Sequence, residues 1–278
     1  MSKYIQDKVI VVTGAGSGFG RLISLKAAVL GARLVCADVN AQTVEATVEE
    51  IQTSHGQAIG RRTDVTDAEE MASLAWAAVD QFGRIDVMIN NAGVMPLALY
   101  SDHVAASRLW HRCIDINIKG VLNGIVAVHD QMIAQGRGHI INISSIYGNF
   151  PVAGAGVYGA TKAAVNFLSE SLRVESQGKI KVTTVKPTGV PATGIGGGVI
   201  NPAAIVGILG QNAAAVMAAI QASAAGAVGS GEPDPETIGY SPLSPEYVAD
   251  QVIHAINQPW GVTLGDITVR AAGEPFIL

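Results

Sequence analysis

The chain has 278 residues, of which 49% are hydrophobic and 15% charged, so it has enough apolar material for a large core. Its net charge is −5 and it contains no basic run, which argues against nucleic acid or an anionic membrane surface as a partner. Cys36 and Cys113 each lie in an apolar pattern and are expected to be buried, reduced thiols. The amino-terminal stretch MSKYIQDKVIVVTG has no apolar signal core, so we expect a cytoplasmic protein.

Short apolar runs alternate with helical patterns along the chain. The predicted strands are 8–14, 33–39, 58–65, 85–93, 138–145, 179–187 and 265–270. The predicted helices are 19–30, 41–54, 67–82, 103–135, one that contains Tyr158, and 244–257. This alternation is typical of a doubly wound parallel sheet with helices on both faces. We therefore predict an α/β fold of about seven strands, in one domain spanning residues 1–278.

A glycine-rich loop, TGAGSGFG, joins the first predicted strand to the first helix. Glycines here permit a tight turn and close approach of a ligand to the backbone, and the helix amino terminus attracts an anion. We predict that this loop binds the phosphates of a dinucleotide. The residues concerned are Gly14, Ser17, Gly18, Phe19 and Gly20. The alternative is a merely flexible turn.

The ends of strands two to four supply further candidate cofactor contacts. Asp38 can accept hydrogen bonds from both ribose hydroxyls of an adenosine and would repel a 2′-phosphate, which favours NAD. The alternative is that Asp38 or Asn40 caps the following helix. Strand three ends in residues placed to reach the adenine, and NNAG after strand four supplies small residues where the cofactor passes. These residues are Asp64, Val65, Asn91, Ala92 and Gly93.

Tyr158 and Lys162 are four residues apart in a predicted helix and therefore lie on one face. A phenol has an ordinary pKa of about 10, and a neighbouring positive charge lowers that pKa. The pair is a candidate general acid/base. The alternative is a tyrosine and a lysine on the surface with no chemical role.

These motifs together resemble the short-chain dehydrogenase/reductase family. The glycine loop has its TGxxxGxG spacing, NNAG and NISS match its fourth and fifth strands, and YGATK matches its YxxxK element, with DINIKG upstream. The resemblance covers nearly the whole chain and is weakest from about 190 to 243. It implies a Rossmann-type fold, a nicotinamide cofactor and chemistry at a carbinol or carbonyl carbon. It also implies a homo-oligomer: a tetramer is expected, and a dimer is the alternative.

The resemblance also implies roles for individual residues. Tyr158 corresponds to the catalytic acid/base and Lys162 to its activator, which is also expected to bind the nicotinamide ribose. Ser145 lies thirteen residues before Tyr158, the family spacing, and is therefore preferred over Ser144. Asn117 corresponds to the fourth member of the catalytic set and is expected to hold a water on a proton path.

The chain departs from the family pattern after strand six, where it has VKPTGVPAT. Thr188 stands where the family usually has glycine. Pro187 and Val190 are still expected to contact the cofactor, Val190 through its backbone to the nicotinamide carboxamide. The threonine common two residues past that valine is here Ala192, so Thr193 is the candidate for its contact.

An insertion at about 191–243 follows strand six, and residues 187–231 include no Asp, Glu, Lys, Arg or His. Its centre, 201–229, is predicted to be helical, with Asn201 as a cap and Pro202 in the first turn. Polar residues interrupt it, so no apolar run approaches the roughly 20 residues that a bilayer requires. A subunit interface is the other alternative. We predict a helical lid with glycine-rich hinges at 194–198 and 229–235, and no membrane association.

The apolar lid predicts a bulky, uncharged substrate, such as a terpenoid, steroid, aryl or alicyclic alcohol or ketone. Two other functions are alternatives. A 3-oxoacyl-type reductase acting on a carrier protein would favour NADPH and a basic docking patch. A non-catalytic dinucleotide-binding regulator would not need the intact catalytic set. No cluster of His, Cys, Asp or Glu has the spacing of metal ligands, so we expect no metal.

Overall fold

The computed structural model describes residues 4–191, 193–224 and 234–276, with the backbone alone described at 219–224. Its strands form one parallel sheet in the order β3-β2-β1-β4-β5-β6-β7. They are β1 (Val9–Thr13), β2 (Arg33–Asp38), β3 (Gln57–Arg62), β4 (Val87–Asn90), β5 (Gly138–Ile143), β6 (Ile180–Pro187) and β7 (Asp266–Val269). The predicted Rossmann-type α/β fold class is confirmed.

Helices connect successive strands as the sequence predicts. They are α1 (Gly18–Val29), α2 (Ala41–Thr53), α3 (Ala68–Phe82), α4 (His103–Ile114), α5 (Gly120–Ala134), α6 (Gly156–Glu175), α7 (Ala203–Leu209), α8 (Ala213–Ala224) and α9 (Pro245–Ile256). The predicted helix 103–135 consists of α4 and α5, joined by a π-helical turn at Asp115–Lys119. A π turn inside an α-helix is often found at a functional site.

The apolar core lies in two layers, one on each face of the sheet. Successive side chains of β1 alternate between them, because neighbouring residues of a strand point to opposite faces: Ile10 and Val12 join one layer, Val9 and Val11 the other. The first layer is covered by α1, α2 and α9, and the second by α3, α5 and α6. Helices therefore shield both faces, and the carboxyl ends of the strands remain for a site.

The strand order reverses beside β1, which pairs with β2 on one side and β4 on the other. In open parallel sheets a crevice forms at such a point, outside the carboxyl ends of the strands. The glycine loop follows β1 and the NNAG segment follows β4, so both border this crevice.

The segment after β6 is helical where it is described. It contains α7, a 3₁₀ turn at Gly210–Asn212, and α8. Asn201 accepts a hydrogen bond from the Ala203 amide (2.9 Å), but α7 begins at Ala203 with Pro202 as its cap residue, one position later than predicted. Residues 225–233, which hold the end of the predicted lid helix and most of its second hinge, are outside the described residues. Within the described part of the chain, no helix is long and apolar enough to cross a membrane.

Candidate active site

The glycine loop forms a close-fitting turn into α1. Gly14 and Gly18 have φ of 66° and 50°, a region that L side chains rarely adopt. A Cβ on Gly20 would lie 2.1 Å from the Gly14 carbonyl oxygen, so glycine at this position lets α1 pack on the loop. Ser17 precedes the helix without a side-chain cap, and the first turn has no acidic residue. Free helix amides and a positive dipole end therefore remain for an anion.

Asp38 is held at the end of β2 by two backbone amides. Its Oδ2 accepts a hydrogen bond from Gly16 and its Oδ1 from Asn40, each at 3.0 Å. The cap of α2 is Asn40, whose side chain accepts from the amides of Gln42 and Thr43. The helix cap and Asp38 are thus separate, and the Asp38 carboxylate borders the crevice with lone pairs unused by the loop.

A cleft of about 900 Å³ runs along the carboxyl edge of the sheet, a size suited to a small-molecule ligand. Most of the predicted cofactor residues line it, namely Gly14, Ser17, Gly18, Phe19, Asp38, Asp64, Val65, Asn91, Ala92, Gly93 and Thr193. Gly20 packs inside α1 instead, and four other predicted contacts do not line the cleft, namely Pro187, Val190, Tyr158 and Lys162. Val190 packs against the first core layer.

The two walls of the cleft are tied together by Asn91. Its Nδ2 donates to the carbonyl oxygens of Thr13 (2.9 Å) and Gly14 (3.2 Å). Across the cleft, Thr193 approaches the glycine loop so closely that a Cβ on Gly18 would lie 2.8 Å from the Thr193 carbonyl oxygen. The segment after β6 therefore closes over the loop.

The Asp64 carboxylate is charged at neutral pH. Asp64 accepts hydrogen bonds from the Thr66 amide (2.9 Å) and the Thr66 hydroxyl (2.8 Å). Both bonds lower the pKa of Asp64 below its ordinary value, and the bond from the amide has the larger effect. Arg112, on α4, also lines the cleft and adds a smaller lowering effect. Arg112 is not among the residues predicted from the sequence. The available signal is a shared helical face, because Leu109, Arg112 and Ile116 are spaced at i, i+3 and i+7 and all line the cleft.

Tyr158 and Lys162 lie side by side in the first turns of α6. Their exposed fractions are 5% and 4%. The Lys162 ammonium donates to the carbonyl oxygen of Ile143 at the end of β5 (2.8 Å) and lies 5.8 Å from the ring centroid of Tyr158. The helix spacing thus places a buried ammonium beside a buried phenol, as the sequence predicts.

Burial controls the pKa of both groups in the site without cofactor. It raises the pKa of Tyr158 to about 12, although a hydrogen bond with Ser145 opposes the rise. It lowers the pKa of Lys162 to about 8, although Cys113 opposes the fall. Burial thus dominates the pKa of Tyr158, because removing a phenolate from water disfavours the charged form.

The two serines after β5 have different partners. Ser144 donates to the carbonyl oxygen of Lys162 (3.1 Å) and to Asn166 Oδ1 (2.7 Å), which fixes it to α6. Ser145 accepts from the Tyr147 amide (3.2 Å) and lies near enough to the Tyr158 hydroxyl to oppose the rise of its pKa. Ser144 is thus committed to α6, and the preference for Ser145 as the serine that acts with Tyr158 stays a prediction.

Asn117 lies in the π-helical turn and is fully buried. Its Oδ1 accepts from the Val94 amide (3.0 Å), and its Nδ2 donates to the Val94 carbonyl oxygen (2.9 Å) and to Thr161 Oγ1 (3.0 Å). The Cys113 sulfur lies 3.3 Å from the same nitrogen, and that thiol is buried, as expected. The Asn117 side chain thus joins the loop after β4 to α6, and its polar atoms are already bonded.

An apolar cluster surrounds Tyr158, and we call it the Tyr158 cluster. It contains Leu97, Cys113, Ile146, Tyr147, Ala155, Tyr158, Ala204 and Ile208, with Val94, Met95, Phe150, Val152, Val199 and Phe276 packed against it. Ala204 and Ile208 belong to α7, so the first helix of the predicted lid packs in the same cluster as Tyr158. Val199 also forms a β-bridge with Leu97, and Val94, Met95 and Val199 line the cleft as well.

A family model described as short chain dehydrogenase matches residues 8–201. The chain belongs to this family. An oxidoreductase of Listeria monocytogenes, itself described as uncharacterized, is 36% identical over 98% of this chain and 99% of its own length. A crystal structure of a short-chain dehydrogenase/reductase from Burkholderia phymatum in complex with NAD is 30% identical, with a TM-score of 0.74 over 96% of this chain and 90% of that one.

A metagenomic short-chain oxidoreductase in complex with NADP is 27% identical, with a TM-score of 0.72 over 96% of this chain and 98% of that one. Similar proteins thus bind either dinucleotide, and the family is one of oxidoreductases. Among the described residues, no group of three or more His, Cys, Asp or Glu is placed to hold a metal ion.

Proposed function

We propose that this family member is an NAD(H)-dependent oxidoreductase that interconverts a secondary alcohol and a ketone on a bulky, uncharged, apolar substrate. The observation that supports it most is the position of Tyr158 and Lys162. Both residues are buried, and Tyr158 belongs to an apolar cluster that adjoins a dinucleotide-sized cleft. A phenol in such a place is suited to exchange a proton with an apolar molecule from which water is excluded.

The residues that line the cleft fit a dinucleotide. The glycine cradle, in which a Cβ at position 14 or 18 would meet backbone or side-chain atoms at 2.9 and 2.8 Å, admits a diphosphate against the free amides of α1. Asp64, Asn91 and Gly93 follow β3 and β4 along the same edge. When bound there, a nicotinamide dinucleotide supplies or accepts the hydride.

The proton is handled by the chain's own residues. In ketone reduction, Tyr158 Oη donates its proton to the substrate oxygen and becomes a phenolate. In alcohol oxidation the step runs in reverse, and the phenolate form of Tyr158 takes the hydroxyl proton of the substrate. Ser145 donates a hydrogen bond to the substrate oxygen as negative charge develops there. The Lys162 ammonium, fixed by the Ile143 carbonyl oxygen, stabilises the phenolate that Tyr158 forms. Asn117 holds the loop after β4 against α6 through its hydrogen bonds to Val94 and Thr161, and so fixes the backbone around Tyr158 and Lys162.

NAD is the proposed cofactor because of Asp38. Its two oxygens each accept one backbone amide and retain acceptor capacity for the two ribose hydroxyls. Against a 2′-phosphate the same carboxylate would be repulsive, and no basic residue precedes Gly18 in the loop to offset it.

The substrate class follows from the Tyr158 cluster and the lid. The cluster is formed by apolar or aromatic side chains apart from the polar tips of its two tyrosines and one thiol. The lid contributes Ala204 and Ile208 and has no charged residue with which to pair a charged substrate. Burial of hydrocarbon there contributes about 25 cal/mol per Å². Terpenoid, steroid, aryl and alicyclic ketones fit this description.

Three further expectations remain proposals: a single domain over 1–278, a homotetramer, with a dimer as the alternative, and a cytoplasmic location. Exposed apolar residues on α5 and α6, including Val126 and Phe167 at 66% and 77% exposure, support association between copies. Light scattering on the purified protein distinguishes a tetramer from a dimer or a monomer.

The proposed function is tested by NAD⁺ reduction against secondary alcohols graded by size and polarity. We expect kcat/KM to rise from small polar alcohols to large alicyclic ones. A preference for sugars or short hydroxy acids would contradict the substrate class. Preferential reduction of carrier-bound 3-oxoacyl groups with NADPH would support the reductase alternative, and tight NADH binding without any turnover would support the regulator.

A further inference from the structure

The carboxyl-terminal segment 270–276 reaches back to the Tyr158 cluster. β7 pairs with β6, which sets Val269 opposite Pro187, and the Thr188 amide donates to the Val269 carbonyl oxygen (3.2 Å). The chain that leaves β7 therefore starts beside the loop that leaves β6. Six residues later, Phe276 packs against the Tyr158 cluster.

Phe276 is seated on Gly189. A Cβ on Gly189 would lie 1.7 Å from Cε2 and 2.3 Å from Cζ of the Phe276 ring. The ring thus occupies the space that any other residue at position 189 would fill. Gly189 lies in the loop after β6, where the chain departs from the family pattern. Glycine at this position leaves room for the Phe276 ring, which packs against the Tyr158 cluster.

A nearly buried carboxylate holds segment 270–276 in place. The side chain of Glu274 is 4% exposed, and its Oε1 accepts a hydrogen bond from Arg270 Nε (2.8 Å). Its Oε2 accepts a hydrogen bond from the hydroxyl of Thr188. Thr188 stands where the family usually has glycine, which has no side chain. The hydrogen bond from its hydroxyl to Glu274 therefore depends on this departure from the family pattern.

Segment 270–276 is also bonded to the lid. Asn212, in the turn between α7 and α8, donates from Nδ2 to the Pro275 carbonyl oxygen (2.7 Å). The Gly273 amide donates to the Tyr240 carbonyl oxygen (3.1 Å) on the far side of the lid insertion. One short segment thus contacts the loop after β6, the lid and the start of the chain that leads to α9.

Glu274 affects the pKa of Tyr147, a member of the Tyr158 cluster. After burial, the Glu274 carboxylate is the next cause that raises the pKa of Tyr147, with Tyr158 third. Tyr147 therefore stays protonated beside Tyr158.

We propose that segment 270–276 is a wall of the substrate chamber, in which Phe276 sets the size of substrate accepted beside Tyr158 and Glu274, bound to Thr188 and Arg270, is the positioning residue. The proposal rests on the proposed function, because a chamber wall is defined by the substrate that it contacts. It predicts that changes at these positions alter the choice between substrates and leave the cofactor site intact.

The first test is Phe276→Ala, compared with Val29→Ala at a 79% exposed position of α1. The readouts are kcat/KM for a series of alicyclic ketones of increasing size and the NADH dissociation constant by fluorescence. We expect the large-to-small ratio of kcat/KM to rise by about tenfold with Phe276→Ala, the scale on which a pocket discriminates apolar groups. NADH affinity and the Val29→Ala ratio should stay within about twofold of wild type. An unchanged ratio would overturn the proposal.

The second test separates positioning from general packing. Thr188→Val removes the hydroxyl that binds Glu274 and keeps the shape, and Thr188→Ser keeps the hydroxyl. Thr188→Val should shift the size ratio in the same direction as Phe276→Ala, mainly through KM, and Thr188→Ser should restore it. Equal ratios in the two variants would overturn the role of Glu274.

Folding is checked by thermal unfolding, and Phe276→Leu replaces Phe276→Ala if the latter does not fold. Leucine keeps an apolar side chain while shortening the wall, so a smaller shift of the same sign is expected, and no shift would overturn the proposal. Wild-type protein that binds NADH but reduces no ketone would overturn the proposed function together with this inference. Turnover with unchanged size selectivity would overturn this inference alone.

Discussion

The ammonium nitrogen of Lys162 lies 5.8 Å from the ring centroid of Tyr158, and neither residue is more than 5% exposed. Burial alone disfavours the charged form of each, which raises one pKa and lowers the other. A proton that leaves Tyr158 creates a phenolate that the neighbouring ammonium stabilises. The pair therefore exchanges a proton best while Lys162 is still charged.

This pairing predicts the pH dependence of ketone reduction. Tyr158 must be protonated to donate, and its pKa of about 12 keeps it so across the neutral range. Lys162 loses its charge as pH rises through about 8, and with it the stabilisation of the phenolate. At saturating NADH, kcat/KM should therefore be level at neutral pH and fall above about pH 8.

Lys181→Met is the matched control, because burial also lowers the pKa of Lys181 to about 8, near the amino end of β6. The fall in kcat/KM should persist in that variant. If kcat/KM of Lys181→Met no longer falls above pH 8, the titrating group is Lys181 and not Lys162. A wild-type kcat/KM that stays level well above pH 8 would also contradict the role of Lys162.

Asp38→Asn should weaken the preference for NAD over NADP. The substitution removes the charge that opposes a 2′-phosphate but keeps one carbonyl oxygen for the Gly16 or Asn40 amide. We expect the wild type to favour NAD in kcat/KM by at least about tenfold, or about 1.4 kcal/mol, and the variant to narrow that ratio. Glu49→Gln, at an exposed acid of α2, should leave it unchanged. Equal use of both cofactors by the wild type would refute the role of Asp38.

Gly20→Ala should weaken cofactor binding and stability together. The new methyl group would lie 2.1 Å from the Gly14 carbonyl oxygen and 2.6 Å from Asn91 Nδ2, so the loop has to move. Overpacking of this kind costs about 1–3 kcal/mol. Gly261→Ala is the control, since nothing lies within 4 Å of a Cβ there. Calorimetry of NADH binding and thermal unfolding measure both effects, and wild-type values in Gly20→Ala would contradict a close-fitting loop.

Ile208→Ser should raise KM for a large apolar ketone. Ile208 is 4% exposed in the Tyr158 cluster, whereas Val206 on the same helix is 45% exposed. If Ile208 contacts the bound ketone, loss of that apolar contact costs about 1–3 kcal/mol, which corresponds to roughly tenfold or more in affinity. Val206→Ser should have little effect. If both variants change only the oligomeric state, α7 is a subunit interface and not a lid.

Much of the fold follows from local patterns. Each predicted strand overlaps an observed one, because buried parallel strands are short apolar runs between helices. The boundaries differ where pairing decides them: the predicted strand 58–65 ends at Arg62, and the predicted strand 85–93 is paired only from Val87 to Asn90. Where a strand stops depends on its neighbour, and a single sequence does not show the neighbour.

The candidate site was predictable where motif spacing reports geometry, as for Tyr158 and Lys162 on one helical face. It was not predictable where contacts cross the chain. The Thr188–Glu274 hydrogen bond joins residues 86 positions apart, and the sequence shows Thr188 only as a departure from a pattern. The balance of burial and charge on Tyr158 likewise depends on three-dimensional packing, and the sequence does not show that burial is the largest cause acting on its pKa.

Tyr158→Phe tests the central claim most directly. The change removes one oxygen and keeps the ring in the Tyr158 cluster, so folding and NADH affinity should match the wild type. Steady-state NAD⁺ reduction with the best alcohol should lose at least the roughly 10²–10⁴-fold in kcat that a general acid/base contributes. A variant that binds NADH normally but has lost turnover would support the account, whereas one that keeps more than about a tenth of wild-type kcat, on the same scale, would contradict it.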